Sequence, residues 1–414
     1  MNKPRTVVVS GLGVATAIGF DEITLWNNLM AGRSGIRVIS GFDTRDYRTK
    51  VASEIESAAL EAALQARQIT PSERTLDLAL LASAQALEQA GLVSGPPPYT
   101  PRNVATVFGT GAGSAHAIYD SYMAFASKGV RGLRPTTVPR CMANAISAQV
   151  SMRFRLTGPN YMVVCACTSS TAAIGLAYRM IRDGYAEHVL CGGADAMLDP
   201  ATFGAWNNLG VMSRNPDHAK ACRPFDADRD GCVLGEGAGA LVLESLENAR
   251  ARGARIRAEI CGYGETSDAE HITRPSIKGQ SRAIQVALES AGLRPEDIGF
   301  INAHGTATRA NDECEAQSIR AALGAAADRI PVASNKSFFG HLLGASGVVE
   351  SIVGILGLEH RRVPPNLNLD RPDPACNLRL VGSSPMDLDA PILMKNSFGF
   401  GGNNAVLVIR RWDD

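Results

Sequence analysis

Short apolar runs alternate with longer stretches of helical periodicity along most of this chain, which predicts strands and helices in turn. Val7-Val-Val-Ser-Gly-Leu-Gly13 reads as a strand entering a turn. Residues 104–108 and 298–302 read as short strands that run into Gly-Thr turns. The run Tyr161-Met-Val-Val-Cys-Ala-Cys167 predicts a buried strand, and the small residues 168–177 after it predict a closely packed helix. Another helix is expected over residues 342–358. Such alternation favours mostly parallel sheets covered by helices, an α/β fold.

The elements recur in order. Val7–Gly13 is echoed by Ala258-Glu-Ile-Cys-Gly-Tyr-Gly264, and Ala86-Leu-Glu-Gln-Ala-Gly-Leu92 by Ala287-Leu-Glu-Ser-Ala-Gly-Leu293. Each of the latter pair ends on a capping glycine and leads through a proline-containing loop to a short strand. Residues 235–244 are echoed by residues 399–409. Ordered recurrence predicts a duplicated α/β half joined near residues 248–257. The expected halves are 1–254, carrying Cys167, and 255–414, carrying His304 and His341. Cys167 and His341 would then hold equivalent places, each opening the helix after the third strand of its half.

Composition acts by exclusion. The 41 basic and 41 acidic residues balance, so nothing argues for nucleic acid or a membrane surface as the main partner. No apolar run is long and uncharged enough to suggest a spanning helix. Lys3 and Arg5 before an apolar stretch faintly imitate a secretion signal, but Gly11 and Gly13 interrupt it, and a strand and turn explain it better. Nine scattered cysteines without zinc spacing fit reduced thiols in a cytoplasmic protein. Gly109-Thr-Gly-Ala-Gly113 and Gly399-Phe-Gly-Gly402 complete neither a dinucleotide fingerprint nor a P-loop. No metal site and no bound cofactor are expected.

The candidate chemistry centres on Cys167, delivered to the start of a helix whose dipole and free N–H groups favour a thiolate. His304 and His341 both sit beside glycines, His304 at a strand end and His341 before a helix. A histidine before a helix N-terminus is expected to stay neutral and to donate a hydrogen bond to a developing oxyanion. Lys336 lies in a segment that is not a solvated charge run, with Glu315 and Glu350 as candidate counter-charges. Phe398 and Phe400, in a glycine-rich turn, are candidates to gate an apolar channel.

The motifs Ala166-Cys-Thr-Ser169, Ala303-His-Gly-Thr-Ala-Thr308, Lys336-Ser-Phe-Phe-Gly-His-Leu-Leu-Gly344 and Arg223-Pro-Phe-Asp226 with Arg229-Asp-Gly231 carry a resemblance. With them the chain resembles, nearly end to end, a condensing enzyme of the thiolase-like fold: a β-ketoacyl-acyl carrier protein synthase of the elongating type. The resemblance implies a five-layer αβαβα architecture built from two βαβαβαββ halves. It implies that an acyl chain passes from the phosphopantetheine arm of an acyl carrier protein to Cys167. His304 and His341 would stabilise the enolate formed as malonyl carrier protein loses carbon dioxide. Backbone N–H groups of Cys167 and Phe400 would form the oxyanion hole, and Lys336 would orient His304. Thr306 and Thr308 would contact the pantetheine arm. A dimer is implied, with the strand before Cys167 paired across its interface. The acidic carrier protein calls for a basic docking patch, for which Lys128, Arg131, Arg134 and Arg140 are the candidates.

The chain departs from the family pattern at Ala112, where a bulky aliphatic residue shapes the acyl pocket, and at Thr136-Thr137, where an aromatic pair stands. Cys165, Cys232 and Asn403 are further departures. Ala112 and Thr137 are therefore expected to give a wider or more polar substrate pocket. This sets a specialised polyketide or polyene pathway beside fatty-acid elongation. The alternative reading is a ketosynthase subunit paired with a chain-length-factor-like homologue. A non-catalytic length-setting subunit is disfavoured by the presence of Cys167 and both histidines.

Overall fold

The computed structural model describes residues 4–413. Its principal strands, in chain order, are β1 (Val7–Thr16), β2 (Ala105–Gly109), β3 (Asn160–Val163), β4 (His188–Asp195), β5 (Gly237–Ser245), β6 (Ala258–Ser267), β7 (Phe300–Asn302), β8 (Pro331–Ala333), β9 (Arg379–Leu380), β10 (Ile392–Gly399) and β11 (Asn403–Arg411). They hydrogen-bond in the order β9-β8-β7-β10-β11-β6-β1-β5-β4-β2-β3. Only Val7–Val9 of β1 and Ala258–Ile260 of β6 join the two sides, so the array is two mixed sheets linked at one short antiparallel contact.

Both sides follow one plan. In each, the first strand pairs antiparallel with the last, which pairs antiparallel with the penultimate one; the second and third then add in parallel, and on the C-terminal side the two-residue β9 follows at the edge. Helix Arg74–Gln89 packs on β1 and β5, and helix Ile277–Ala291 on β6 and β11. Helices Ser169–Arg182 and Ser346–His360 touch strands of both sides and each other, forming the middle layer. The layers are helix, sheet, helix pair, sheet and helix, the thiolase-like arrangement. One apolar cluster surrounds the middle helix pair and reaches both sheets, and each outer helix layer buries a cluster of its own.

The echoed sequences meet physically. A Cβ at Gly13 would lie 2.1 Å from the carbonyl oxygen of Ala82, and one at Gly264 2.2 Å from that of Ala283. The strand glycines thus let the backbone of each outer helix rest directly on its sheet. Gly13→Val is expected to destabilise the protein towards the upper end of about 1–3 kcal/mol by overpacking. A urea midpoint indistinguishable from wild type would contradict this account.

Two expectations need correction. The run 161–167 is not a buried strand. β3 ends at Val163 on the sheet edge, with Tyr161 and Val164 51% and 52% exposed, and Cys165 is only half-buried. An apolar run marks a surface that avoids water, whether its cover comes from this chain or another. Nor are Cys167 and His341 equivalent. Each central helix is preceded by a 3₁₀ turn, 166–168 or 343–345, whose first residue has positive φ: 50° at Ala166 and 52° at Leu343. Matching these turns sets Cys167 against Gly344, with His341 earlier in the chain.

Candidate active site

The loop that carries Cys167 is built by hydrogen bonds, several of them short in range. Ser169 Oγ accepts from the Cys165 N–H at 2.8 Å and lies 2.9 Å from the Thr110 carbonyl oxygen. Thr168 Oγ1 donates to the Cys165 carbonyl at 2.6 Å. Cys167 is thereby held just before helix Ser169–Arg182, 7% exposed. Burial pushes its thiol up to about 12, while the Lys336 charge and the N–H groups of Phe400 and of Cys167 itself act the other way.

His341 Nε2 is 3.0 Å from Cys167 Sγ. Its Nδ1 accepts the N–H of Leu343 at 3.2 Å and lies 2.9 Å from Ser346 Oγ. A neutral ring that accepts at Nδ1 carries its hydrogen on Nε2, so His341 donates towards the sulfur. The His304 ring stands edge-on to it, centroids 5.3 Å apart, and His304 Nδ1 is buried without a hydrogen-bond partner among the described residues. Burial, followed by the Lys336 charge, holds both imidazoles well below the ordinary histidine value, with Lys395 adding to the effect.

The histidines rest on a buried charge network. Glu315 accepts the backbone N–H groups of His304 and Gly305 at 2.8 and 2.7 Å. Lys336 Nζ is 2.5 Å from both the His304 carbonyl oxygen and Glu350 Oε1. Lys336 therefore grips the backbone of His304 rather than its ring. Asp195 accepts from Thr110 Oγ1 and from the N–H groups of Gly111 and Gly344, at 2.8, 2.8 and 2.6 Å, joining the turn after β2 to the loop beyond His341. The Arg223–Asp226 and Arg229–Gly231 motifs are framework. Arg229 pairs with Asp373 at 2.5 Å and holds the Thr308 carbonyl, while the Phe225 N–H reaches Asp312.

Cys167, His304 and His341 line one mostly apolar cavity together with Thr306, Thr308, Phe398 and Phe400. Thr306 and Thr308 hydroxyls are 2.9 Å apart. Sequence reasoning missed Trp206, Val211 and Ile272 as lining residues. Trp206 stacks on Phe400 with centroids 5.8 Å apart, and no local motif around it signals this contact. The turn bearing Phe400 is fastened from the other side: Gly401 N–H donates to the Ile272 carbonyl at 2.7 Å, and Asp268 N–H to that of Gly402 at 2.9 Å. Cys232 also lines the cavity.

Other expected residues lie elsewhere. Ala112 is exposed and Thr137 half-buried, and neither lines this cavity. Asp195 accepts the N–H groups of Gly111 and Ala112. Thr137 Oγ1 is occupied by the Arg134 N–H. Lys128, Arg131 and Arg134 are exposed beyond helix Ala115–Lys128 or at its end, and Arg140 is half-buried with a hydrogen bond to the Ser72 carbonyl. None of the four reaches the cavity.

The donor atoms of Cys167, His304 and His341 lie within 4.8 Å of one another. Two buried ammonium groups beside them oppose a dication, so the trio is read as acid–base and nucleophilic machinery.

Residues 4–249 match the beta-ketoacyl synthase N-terminal domain and residues 257–370 the beta-ketoacyl synthase C-terminal domain. The chain belongs to the beta-ketoacyl synthase family. It is therefore a condensing acyltransferase of that family. It is 39% identical over 413 residues, 99% of each chain, to 3-oxoacyl-[acyl-carrier-protein] synthase 2 of Synechocystis sp. (strain ATCC 27184 / PCC 6803 / Kazusa). The ishigamide ketosynthase/chain length factor structure superposes with a TM-score of 0.91 at 35% identity, covering 99% of this chain and 100% of that one. A ketosynthase bound to a hexaketide, in complex with its type II polyketide acyl-carrier protein, superposes equally well: TM-score 0.91 at 29% identity, with 99% and 100% covered.

Proposed function

We propose that this protein elongates an acyl chain by decarboxylative Claisen condensation on acyl carrier protein. The observation that carries the reading is Cys167 Sγ at 3.0 Å from the Nε2 of a neutral His341, with His304 beside it in one apolar cavity. The acyl group passes from a phosphopantetheine thioester to Cys167 Sγ, and the carrier thiol leaves with a proton. Malonyl carrier protein then loses carbon dioxide, and the released electron pair forms the thioester enolate. His341 and His304 donate hydrogen bonds to the enolate oxygen. Its carbon attacks the Cys167 thioester, and the N–H groups of Cys167 and Phe400, which face the sulfur, hold the oxyanion. Collapse returns the Cys167 thiolate and releases β-ketoacyl carrier protein. Substrates arrive on their own phosphopantetheine, so the residues themselves need no resident cofactor.

Thr306 and Thr308 offer hydroxyls to the pantetheine arm, and Lys128, Arg131 and Arg134 offer an exposed basic surface to the acidic carrier. Lys336 serves as a positioning residue through the His304 carbonyl. Ala112 and Thr137 can shape an acyl pocket only where another subunit closes over that face. No described helix is long and apolar enough to cross a membrane. The nine unpaired cysteines favour a reducing cytoplasm.

Intact-mass spectrometry after incubation with acyl carrier proteins of different chain length, followed by malonyl carrier protein, tests the reading. A single acyl adduct converted to β-ketoacyl product is expected. No adduct with any donor, in a folded homodimer, would refute it.

A second reading, a ketosynthase subunit that needs a chain-length-factor-like partner, is favoured by the likeness to the ishigamide pair; the exposed apolar edge at β3 fits either dimer. Native mass spectrometry of the protein made alone separates the two. An active homodimer supports self-association, and an inactive monomer supports the heterodimer.

A further inference from the structure

A lysine inside a wholly buried strand is costly unless its charge is met. β10 reads Ile-Leu-Met-Lys-Asn-Ser-Phe-Gly, and Lys395 in its middle is completely buried, between Asn302 of β7 and Leu407 of β11. Its Nζ lies 2.7 Å from Glu350 Oε2, an ion pair. It also lies 3.1 Å from Ser397 Oγ and donates to the Asn396 carbonyl. Glu350 belongs to the helix that follows His341, and its other oxygen holds Lys336. Ser397 Oγ is 2.7 Å from Thr171 Oγ1, on the helix that follows Cys167. The same strand continues into Phe398 and the turn bearing Phe400.

One buried ammonium therefore touches the supports of all three parts of the site. We propose that Lys395 is a further positioning residue for the condensation, joining the helices behind Cys167 and His341 to the Phe400 turn and supplying positive field around the two histidines. The inference rests on the condensation reading above.

Its electrostatic surroundings are closed. Glu350 faces it from helix Ser346–His360, Lys336 from the segment after β8, and Glu315 from helix Arg309–Leu323; His304 and His341 lie beyond these. Burial pulls the Lys395 ammonium down, Glu350 and Glu315 oppose that, and Lys336 adds to it. Glu350 and Glu315 formally balance the two lysines, and Lys395 with Lys336 supplies the positive charge whose field reaches the histidines. A positive neighbour disfavours the imidazolium, so the histidines remain hydrogen-bond donors in neutral form at acid pH.

The sign follows. Removing the Lys395 charge lets a histidine take up its proton at higher pH, so the acid limb of condensation moves up towards the ordinary histidine value. Removing the Glu350 charge does the opposite. Single-turnover condensation by full-length Lys395→Met, Glu350→Gln and wild type, from pH 5 to 8, reads both. The Lys395→Met limb is expected to rise by on the order of one pH unit. The Glu350→Gln limb is expected to fall. Limbs that stay in place while rates drop equally at every pH would make Lys395 merely structural and overturn the proposal, as would shifts of one sign. Should Lys395→Met fail to fold, Lys395→Gln carries the same expectation. A wild type that forms no β-ketoacyl product would instead sink the condensation reading itself.

Discussion

Cys167→Ala is expected to abolish condensation, by about a thousandfold or more, with the fold intact. Among the described residues, Cys167 is the thiol that sits in the cavity against His341 and at the start of a central helix. Cys232 lines the same cavity but is set in the core, where burial pushes its thiol up to about 12, and no helix begins beside it. Cys167 needs more than its burial to react, because burial alone stabilises the protonated thiol. The compensation comes from the N–H groups of Phe400 and Cys167, the Lys336 charge and the Nε2–H of His341, all directed at the sulfur or close to it. Removing the sulfur leaves these donors with nothing to stabilise, and no acyl adduct should appear by intact mass. An adduct of unchanged mass and yield in Cys167→Ala would place the nucleophile elsewhere.

His304→Ala should separate the two half-reactions. Condensation is expected to fall about a hundredfold to a thousandfold, as when one oxyanion donor is lost. Acylation of Cys167 should persist, because His341 rather than His304 lies at 3.0 Å from the sulfur. His304 contributes a ring edge-on to His341 and a buried Nδ1 with no hydrogen-bond partner among the described residues, which fits a group used once the second substrate arrives. His341→Ala should slow both half-reactions. Burst-phase acylation and product formation, measured separately by mass spectrometry, distinguish these patterns. Equal loss of acylation and condensation in His304→Ala would assign that ring to nucleophile activation instead.

Much of this was legible from local sequence. The repeated strand and helix segments pointed to one plan used twice, and the paired glycines of β1 and β6 proved to be the places where helix backbone meets sheet. The order strand, cysteine and small-residue helix pointed to Cys167, and glycine-flanked histidines pointed to His304 and His341. These signals survive because turns, caps and close helix contacts are decided within a few residues.

What the sequence alone determined, then, was the α/β plan and the family, and it singled out the candidate nucleophile with its two histidines. Only the tertiary structure decided how those groups are wired. It brought Lys336 and Lys395 onto the two oxygens of Glu350, set Trp206 against Phe400, and left Ala112 and Thr137 out of the lining of the cavity. It also exposed the edge strand that its apolar pattern had placed in the core. The physical reason is range. A buried charge is tolerable only where a distant segment delivers its counter-charge, and an apolar face is core only where another layer covers it, so neither is written in the neighbouring residues.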